Sequence, residues 1–327
     1  MPIISPSYSP PFYLRNSHLQ TIFPTFFRKT PLVDYRRERI ETSDGDFFDV
    51  DWAFAATPAS RVVVIAHGLD SSADAKYIRG LVRAFVRRGF DVAAMNFRSC
   101  SGEMNRLYKS YHSGATEDMH TLVTRIAATK RYHDISLVGC SLGGNAILKY
   151  LGEQGSDTLI SRGAALSAPC DLKASALVMA SSQNALYMKR FVASFQKKIA
   201  LKQVVFPSGV TLEHFKAIRT FQDLDDRYTA PAHGYRDAEE YWAKCSATGF
   251  IPSIRIPTLL ISAKDDSFLT PSCFALDLAA SSEYFYVDNP DHGGHLGFMQ
   301  RGHSGEYWHE VRIAEFISTK SGLDGNG

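Results

Sequence analysis

Ile135-Ser136-Leu137-Val138-Gly139-Cys140-Ser141-Leu142-Gly143-Gly144-Asn145-Ala146-Ile147-Leu148-Lys149-Tyr150-Leu151 is the stretch whose reading decides the fold of this chain. An apolar run ends in Gly-Cys-Ser-Leu-Gly, and a helical pattern follows at once. Strand, G-x-S-x-G and helix, in that order, are the layout of a nucleophile elbow. A serine hydroxyl is a poor nucleophile at neutral pH. It must project from a sharp turn toward a base, beside backbone N–H groups that hold an oxyanion. Gly139 and Gly143 leave room for that turn, since a Cβ there would crowd strand against helix.

Outward from the elbow, strands and helices alternate. Val62–Ala66 is a continuous β-branched run, suited to a strand buried on both faces of a parallel sheet. Tyr77–Arg88 has helical spacing and ends at Gly89, Phe90–Asn96 is a second apolar strand, and Thr116–Thr129 is again helical. Beyond the elbow, Gly163–Ser167, Pro257–Ser262 and Tyr284–Val287 read as strands. Pro271–Ala280 and Tyr307–Thr319 read as helices. Before Val62, Arg36–Thr42 and Phe47–Phe54 flank Ser43-Asp44-Gly45-Asp46 and predict a hairpin. The pattern predicts an α/β protein with a mostly parallel, doubly wound sheet and helices on both faces.

Two regions break the rhythm. Residues 1–34 are rich in proline and aromatics without a clear period, and are expected to form an arm packed on the body at 35–327. Between about 171 and 253 there is no strong strand, while Ala176–Lys198 and Leu212–Phe221 look helical. A helical insertion of that size between two strands is expected to form a cap over the strand ends. No internal repeat is present, and the only low-complexity segment is the short tail at 322–327.

Composition narrows the classes. Hydrophobic residues make up 45% and charged residues 21% of the 327, ordinary values for a globular protein with a sizeable core. Net charge is +2 and no basic tract resembles a nucleic-acid footprint. The five cysteines are odd in number, scattered and without C-x-x-C spacing, which predicts reduced thiols and neither a disulfide frame nor a zinc site. His18, His112 and His233 lack metal-ligand spacing, and neither metal nor cofactor is expected. The N-terminus lacks the basic and apolar regions of a secretory signal, and no apolar stretch approaches ~18 residues. The expectation is a cytoplasmic protein.

An elbow needs three further parts. The Val62–Ala66 strand runs into His67-Gly68-Leu69-Asp70, where Gly68 lets the backbone turn and the amide of Leu69 would face an oxyanion. The amide of Leu142, directly after the serine, would be the second donor. An acid and then a histidine should follow in chain order. Leu259–Ser262 leads into Ala263-Lys264-Asp265-Asp266, and in strand-end loops of this kind the second carboxylate usually faces the imidazole. Asp266 is therefore the candidate, with Asp265 as the alternative that braces the loop. Downstream, Asp288-Asn289-Pro290-Asp291-His292-Gly293-Gly294-His295 offers two histidines, and the glycines beside His295 favour it over His292. His295 would take the proton of Ser141, and the acid would fix its tautomer. Cys140, before the elbow apex, is expected in the core.

Several segments together resemble the YheT-like branch of the α/β-hydrolase superfamily, whose eukaryotic relatives are abhydrolase-domain proteins. They are Arg15-Asn16-Ser17-His18-Leu19-Gln20-Thr21-Ile22, Asn96-Phe97-Arg98-Ser99-Cys100-Ser101-Gly102, Tyr111-His112-Ser113-Gly114-Ala115-Thr116-Glu117-Asp118 and Gly293-Gly294-His295-Leu296-Gly297-Phe298. Ser99 departs from the glycine that relatives usually carry, outside the proposed triad. The resemblance implies an α/β-hydrolase fold with a helical cap and a serine esterase or lipase acting on carboxylic esters, with short- or medium-chain acylglycerols or phospholipids as the substrate classes it suggests. The H-x-x-x-x-D acyltransferase motif of some related hydrolases is absent, because Gln300 stands five residues after His295.

Ester hydrolysis through Ser141, with a small-molecule or lipid ester as the partner and no partner protein, is the leading expectation. The alternatives are a non-catalytic member that binds an acyl or terpenoid ligand, and a lipase working at a membrane surface. Phe12, Tyr13, Phe23, Phe26 and Phe27 motivate the last, through peripheral membrane contact, although packing of these rings on the body is the favoured reading.

Overall fold

Why the strand before the His-Gly turn is apolar from Val62 to Ala66 is visible in its packing. It spans Arg61–Ala66. Val62, Val64 and Ala66 face one core with Met119, Leu122 and Ile147, while Val63 and Ile65 face another with Leu81, Phe85 and Ile313. Period-two alternation sends successive side chains to opposite faces, and both faces are covered by helices. The computed structural model describes residues 3–207, 215–300 and 305–319.

In chain order the strands are β1 Ile3–Ile4, β2 Arg36–Glu41, β3 Phe47–Ala53, β4 Arg61–Ala66, β5 Asp91–Asn96, β6 Asp134–Cys140, β7 Arg162–Leu166, β8 Thr258–Ile261 and β9 Phe285–Asp288. They form one sheet in the order β1-β9-β8-β7-β6-β4-β5-β3-β2. Pairing is parallel from β1 through β5, whereas β3 runs antiparallel to β5 and β2 antiparallel to β3 as the predicted hairpin. The chain goes from β4 to β5 on one side and then returns past β4 to β6. A crevice opens where the winding reverses, at the carboxyl ends of β4 and β6, which is where open α/β sheets bind ligands.

Helices α1 Ser17–Phe27, α2 Lys76–Val86, α3 Glu117–Ala128, α4 Leu142–Gln154, α5 Leu172–Met179 and α6 Ala185–Val205 follow in chain order, and Trp308–Ser318 closes the described chain. Helix α4 is buried at every residue from Leu142 to Gly152. It lies tight on the sheet because Gly143 and Gly144 have no side chain. A Cβ on Gly143 would stand 2.5 Å from the carbonyl oxygens of both Ala66 and His67.

Within the N-terminal arm β1 adds an edge strand beside β9, and α1 is a regular helix capped by Asn16, whose side chain accepts from the Leu19 amide. Two expectations are corrected. The predicted helix Ala176–Lys198 is two helices, α5 and α6, separated at residues 180–184, where Asn184 Nδ2 donates to the carbonyls of Val178 and Ser267. The predicted helix Pro271–Ala280 is a short 3₁₀ turn, Pro271–Phe274, then Leu276–Ala280, parted by Ala275 at φ 51. Of the predicted helix Leu212–Phe221, residues 212–214 lie outside the described residues, as does the 322–327 tail. Among the described residues no helix is long and apolar enough to cross a membrane.

Candidate active site

Ser141 stands at the apex between β6 and α4 with φ 52 and ψ −122. That conformation is rare for a residue with a side chain and costs on the order of 1–3 kcal/mol. Its neighbours hold it there. The Ser141 amide donates to the Leu166 carbonyl at 2.8 Å, and its own carbonyl accepts from the amides of Gly144 and Asn145. The turn lifts the hydroxyl out of the backbone toward the loop after β9.

In that loop His295 Nε2 lies 2.9 Å from Ser141 Oγ, and His295 Nδ1 lies 2.8 Å from Asp266 Oδ2. One tautomer satisfies both contacts: Nδ1–H donates to the carboxylate and Nε2 accepts from the serine hydroxyl. Asp266 is 3% exposed, and its other oxygen accepts from the Phe268 amide at 2.9 Å. The Phe268 ring stacks on the imidazole with centroids 4.3 Å apart. Thus the structure brings Ser141, His295 and Asp266 into one hydrogen-bonded chain. Asp265 turns the other way. It accepts from the Gly294 amide at 2.9 Å and contacts His292 Nδ1 at 3.3 Å, and burial raises its pKa above the usual carboxylate range. Cys140 is fully buried, and burial pushes its thiol up, away from thiolate chemistry.

The histidine loop is clamped by a part of the chain that spacing alone does not connect with it. Thr21 Oγ1 accepts from the His295 amide at 2.9 Å, and Gln20 Oε1 accepts from the Met299 amide at 2.9 Å. Gln20 Nε2 also donates to Tyr8 Oη and to the Leu14 carbonyl. Gly294 is at φ +56, and a Cβ there would stand 2.8 Å from Thr21 Oγ1, so its glycine lets α1 rest directly on the loop. The Arg15–Ile22 and Gly293–Phe298 segments are therefore two halves of one contact. The remaining motif pair is similar: Arg98 holds Asp118 through two hydrogen bonds of 2.7 and 2.6 Å. Asn145, just past the elbow, bonds the carbonyls of Ser113 and Cys245 and the amide of Ala247, tying the end of the inserted segment to α4. The pairings within these segments, Gln20 and Thr21 above all, were not deduced from the sequence.

Opposite the histidine is the loop after β4. His67 is fully buried, bonded through Nδ1 to the Gly68 carbonyl and through Nε2 to the Phe97 amide, and burial lowers its pKa to about 4. It is a neutral brace. The Gly68 amide donates to Tyr77 Oη and the Asp70 amide to Tyr111 Oη, leaving the Leu69 amide between them without an acceptor among the described residues. A Cβ on Gly68 would stand 3.1 Å from Ser141 Cβ, so the loop approaches the serine as closely as glycine permits. Leu142 opens α4, where first-turn amides have no intrahelical acceptor.

Two cavities meet at Leu69, Ser141, Phe268 and His295, each of about 310 Å³. The first runs under α5 and α6 and is mostly apolar, with Met179, Phe191, Phe195, Ile199 and Leu224 among its walls. Charged side chains also reach its wall. Lys198 is paired with Asp70 at 2.8 Å, burial lowers Lys202 to about 8, and burial raises Asp225, bonded to Trp242 Nε1, to about 7. The second cavity opens beside α1. Among the described residues no cluster of side chains has the composition of a metal site.

A family model described as alpha/beta hydrolase fold matches residues 61–301. The chain belongs to the α/β-hydrolase family. Within that family it is 34% identical to YheT of Escherichia coli over 310 residues, which cover 93% of this chain and 91% of that protein. It is 24% identical to the phospholipase ABHD3 of Bos taurus over 307 residues, covering 91% of this chain and 75% of that one. These matches agree with the YheT-like branch that the four motif segments resemble. Among solved structures, the esterase Pf2001 of Pyrococcus furiosus superposes with a TM-score of 0.59 at 18% identity, covering 96% and 97% of the two chains. That likeness speaks for the fold.

Proposed function

We propose that this α/β hydrolase cleaves carboxylic esters of short or medium acyl chains through an acyl-enzyme on Ser141. The observation that carries the reading is the chain Ser141–His295–Asp266, with contacts of 2.9 and 2.8 Å, at the floor of an apolar cavity. His295 takes the hydroxyl proton as Ser141 Oγ attacks the ester carbonyl carbon. The carbonyl electrons move to oxygen, which the amides of Leu69 and Leu142 hold. The intermediate collapses, the C–O bond to the alcohol breaks, and His295 returns the proton to the leaving alkoxide. Water then repeats the sequence on the acyl-enzyme and releases the acid. Asp266 keeps Nδ1 protonated throughout and stabilises the imidazolium. No step calls for a cofactor.

The acyl chain would lie in the first cavity, whose size is at the lower end of small-molecule sites. Helices α5 and α6 supply much of its wall and would act as the cap. The names of relatives such as the Bos taurus phospholipase are consistent with ester chemistry, and the apolar wall is consistent with an acyl group. Initial rates on p-nitrophenyl esters of graded chain length test the proposal. Wild type is expected to turn over one or more of them, and Ser141→Ala to lose about 10⁵–10⁶ in kcat. No turnover of any ester, or a fully active Ser141→Ala, would end it.

A further inference from the structure

Helix α1 is inside out. Successive helical residues turn by about 100°, so Leu19, Ile22, Phe23, Phe26 and Phe27 share one face. In a soluble helix that stripe faces the core. Here it faces solvent, with Phe26 65% and Phe27 70% exposed, and Phe12 82% exposed just before it. This corrects the expectation that these rings pack on the body. The physical reason is the clamp described above: the polar face, with Gln20 and Thr21, is taken up by the histidine loop, which leaves the apolar face outward. The helix is firmly mounted, since Lys76 Nζ also donates to the Thr25 carbonyl at 2.8 Å.

Two further observations say what covers the stripe. The first is charge. Residues 1–33 contain no aspartate or glutamate, while Arg15 and Lys29 are exposed at either end of α1, and Lys189 and Arg190 are exposed on α6. A second copy of this chain placed on the stripe by two-fold symmetry would bring like charge against like. An anionic surface is complementary. The second is position. The second cavity, which reaches Ser141 and His295, has Ile22 and Phe26 of α1 on its wall together with Arg190.

We infer that the exposed face of α1, with Phe12, Phe23, Phe26 and Phe27 and the flanking Arg15 and Lys29, docks on the surface of a phospholipid bilayer that carries anionic headgroups. Aromatic rings set in the interface with basic side chains beside them are the composition of an interfacial helix. Docking there places the mouth of the second cavity against the bilayer, from which an apolar ester would reach Ser141 without crossing water. The docking itself does not depend on the hydrolase reading.

Co-sedimentation of the full chain with vesicles of phosphatidylcholine and phosphatidylserine tests it. Wild type and Ser141→Ala are both expected to partition onto the vesicles, more strongly with more phosphatidylserine and less strongly at high salt. The double variant Phe23→Ser with Phe27→Ser removes two rings that line neither cavity. It is expected to lower the partition by at least about tenfold, while its far-ultraviolet circular dichroism and its rate on a soluble short-chain ester stay at wild-type values. Wild type that stays in the supernatant at every lipid composition would overturn the inference. So would a double variant that partitions as wild type does, or sedimentation velocity showing a dimer that the double variant dissociates.

Discussion

Ser141, His295 and Asp266 were legible because each sits where a strand hands over to a loop, and an elbow fixes the chain order of its partners. Asp265 competed with Asp266, as His292 did with His295, and the distances part the two carboxylates. Asp266 meets His295 at 2.8 Å, whereas Asp265 holds the Gly294 amide. Replacing Asp266 by Asn offers the imidazole an amide and favours the wrong tautomer, so kcat is expected to fall by about 10⁴. Asp265→Asn keeps an acceptor for Gly294 and is expected to cost less than about tenfold. Steady-state kinetics of the two variants decide the point, and a reversal of the two losses would move the acid to Asp265. Thr21 was not legible as a partner of the loop. A threonine hydroxyl that accepts from an amide 274 positions away leaves no mark in local spacing.

At the scale of elements, β4, β6 and α4 followed from apolar runs and glycines, while α1 did not. Its apolar positions have a helical period, but Pro24 lies inside the helix and the stripe points to solvent, so the usual link between period and core fails. The loop after β4 read as a turn that offers the Leu69 amide to an oxyanion, with no role for the His67 side chain. Its histidine is a structural part with a measurable signature. Burial lowers the pKa of His67 from 6.5 to about 4. Above pH 6.5 it is neutral folded or unfolded and contributes no pH dependence. As pH falls from 6.5 toward 4 the unfolded chain binds a proton that the folded chain refuses. Folding stability therefore drops through that window, by about 3 kcal/mol from this group alone. Asp225, raised to about 7 by burial, works in the opposite direction, so the comparison must isolate His67. Denaturant unfolding of wild type and His67→Asn at several pH values does this. Wild type is expected to lose stability relative to the variant as pH drops from 6.5 to 4, and parallel curves would show that His67 does not carry the proton linkage.

Over the whole molecule, the alternation of strands and helices gave the doubly wound sheet, because buried parallel strands must be apolar throughout and their crossovers must be long. The edge strand β1, of two residues, was too short to carry a pattern. The segment between β7 and β8 was legible as helical but not in its breaks, since the Asn184 bonds that part α5 from α6 reach across to Ser267. Under the proposed function its walls would select the acyl group, while the sheet holds Ser141 and its partners. Many serines and five buried cysteines occur in the chain, yet the proposed function makes one hydroxyl reactive among them, the one that meets a histidine backed by a buried carboxylate. The whole reading rests on that selectivity. Intact and peptide mass spectrometry after incubation with a fluorophosphonate measures it directly. The expected result is a single phosphonyl adduct, mapped to Ser141 and missing from Ser141→Ala and greatly slowed in His295→Ala. An unmodified protein, or an adduct on another residue, would contradict the account.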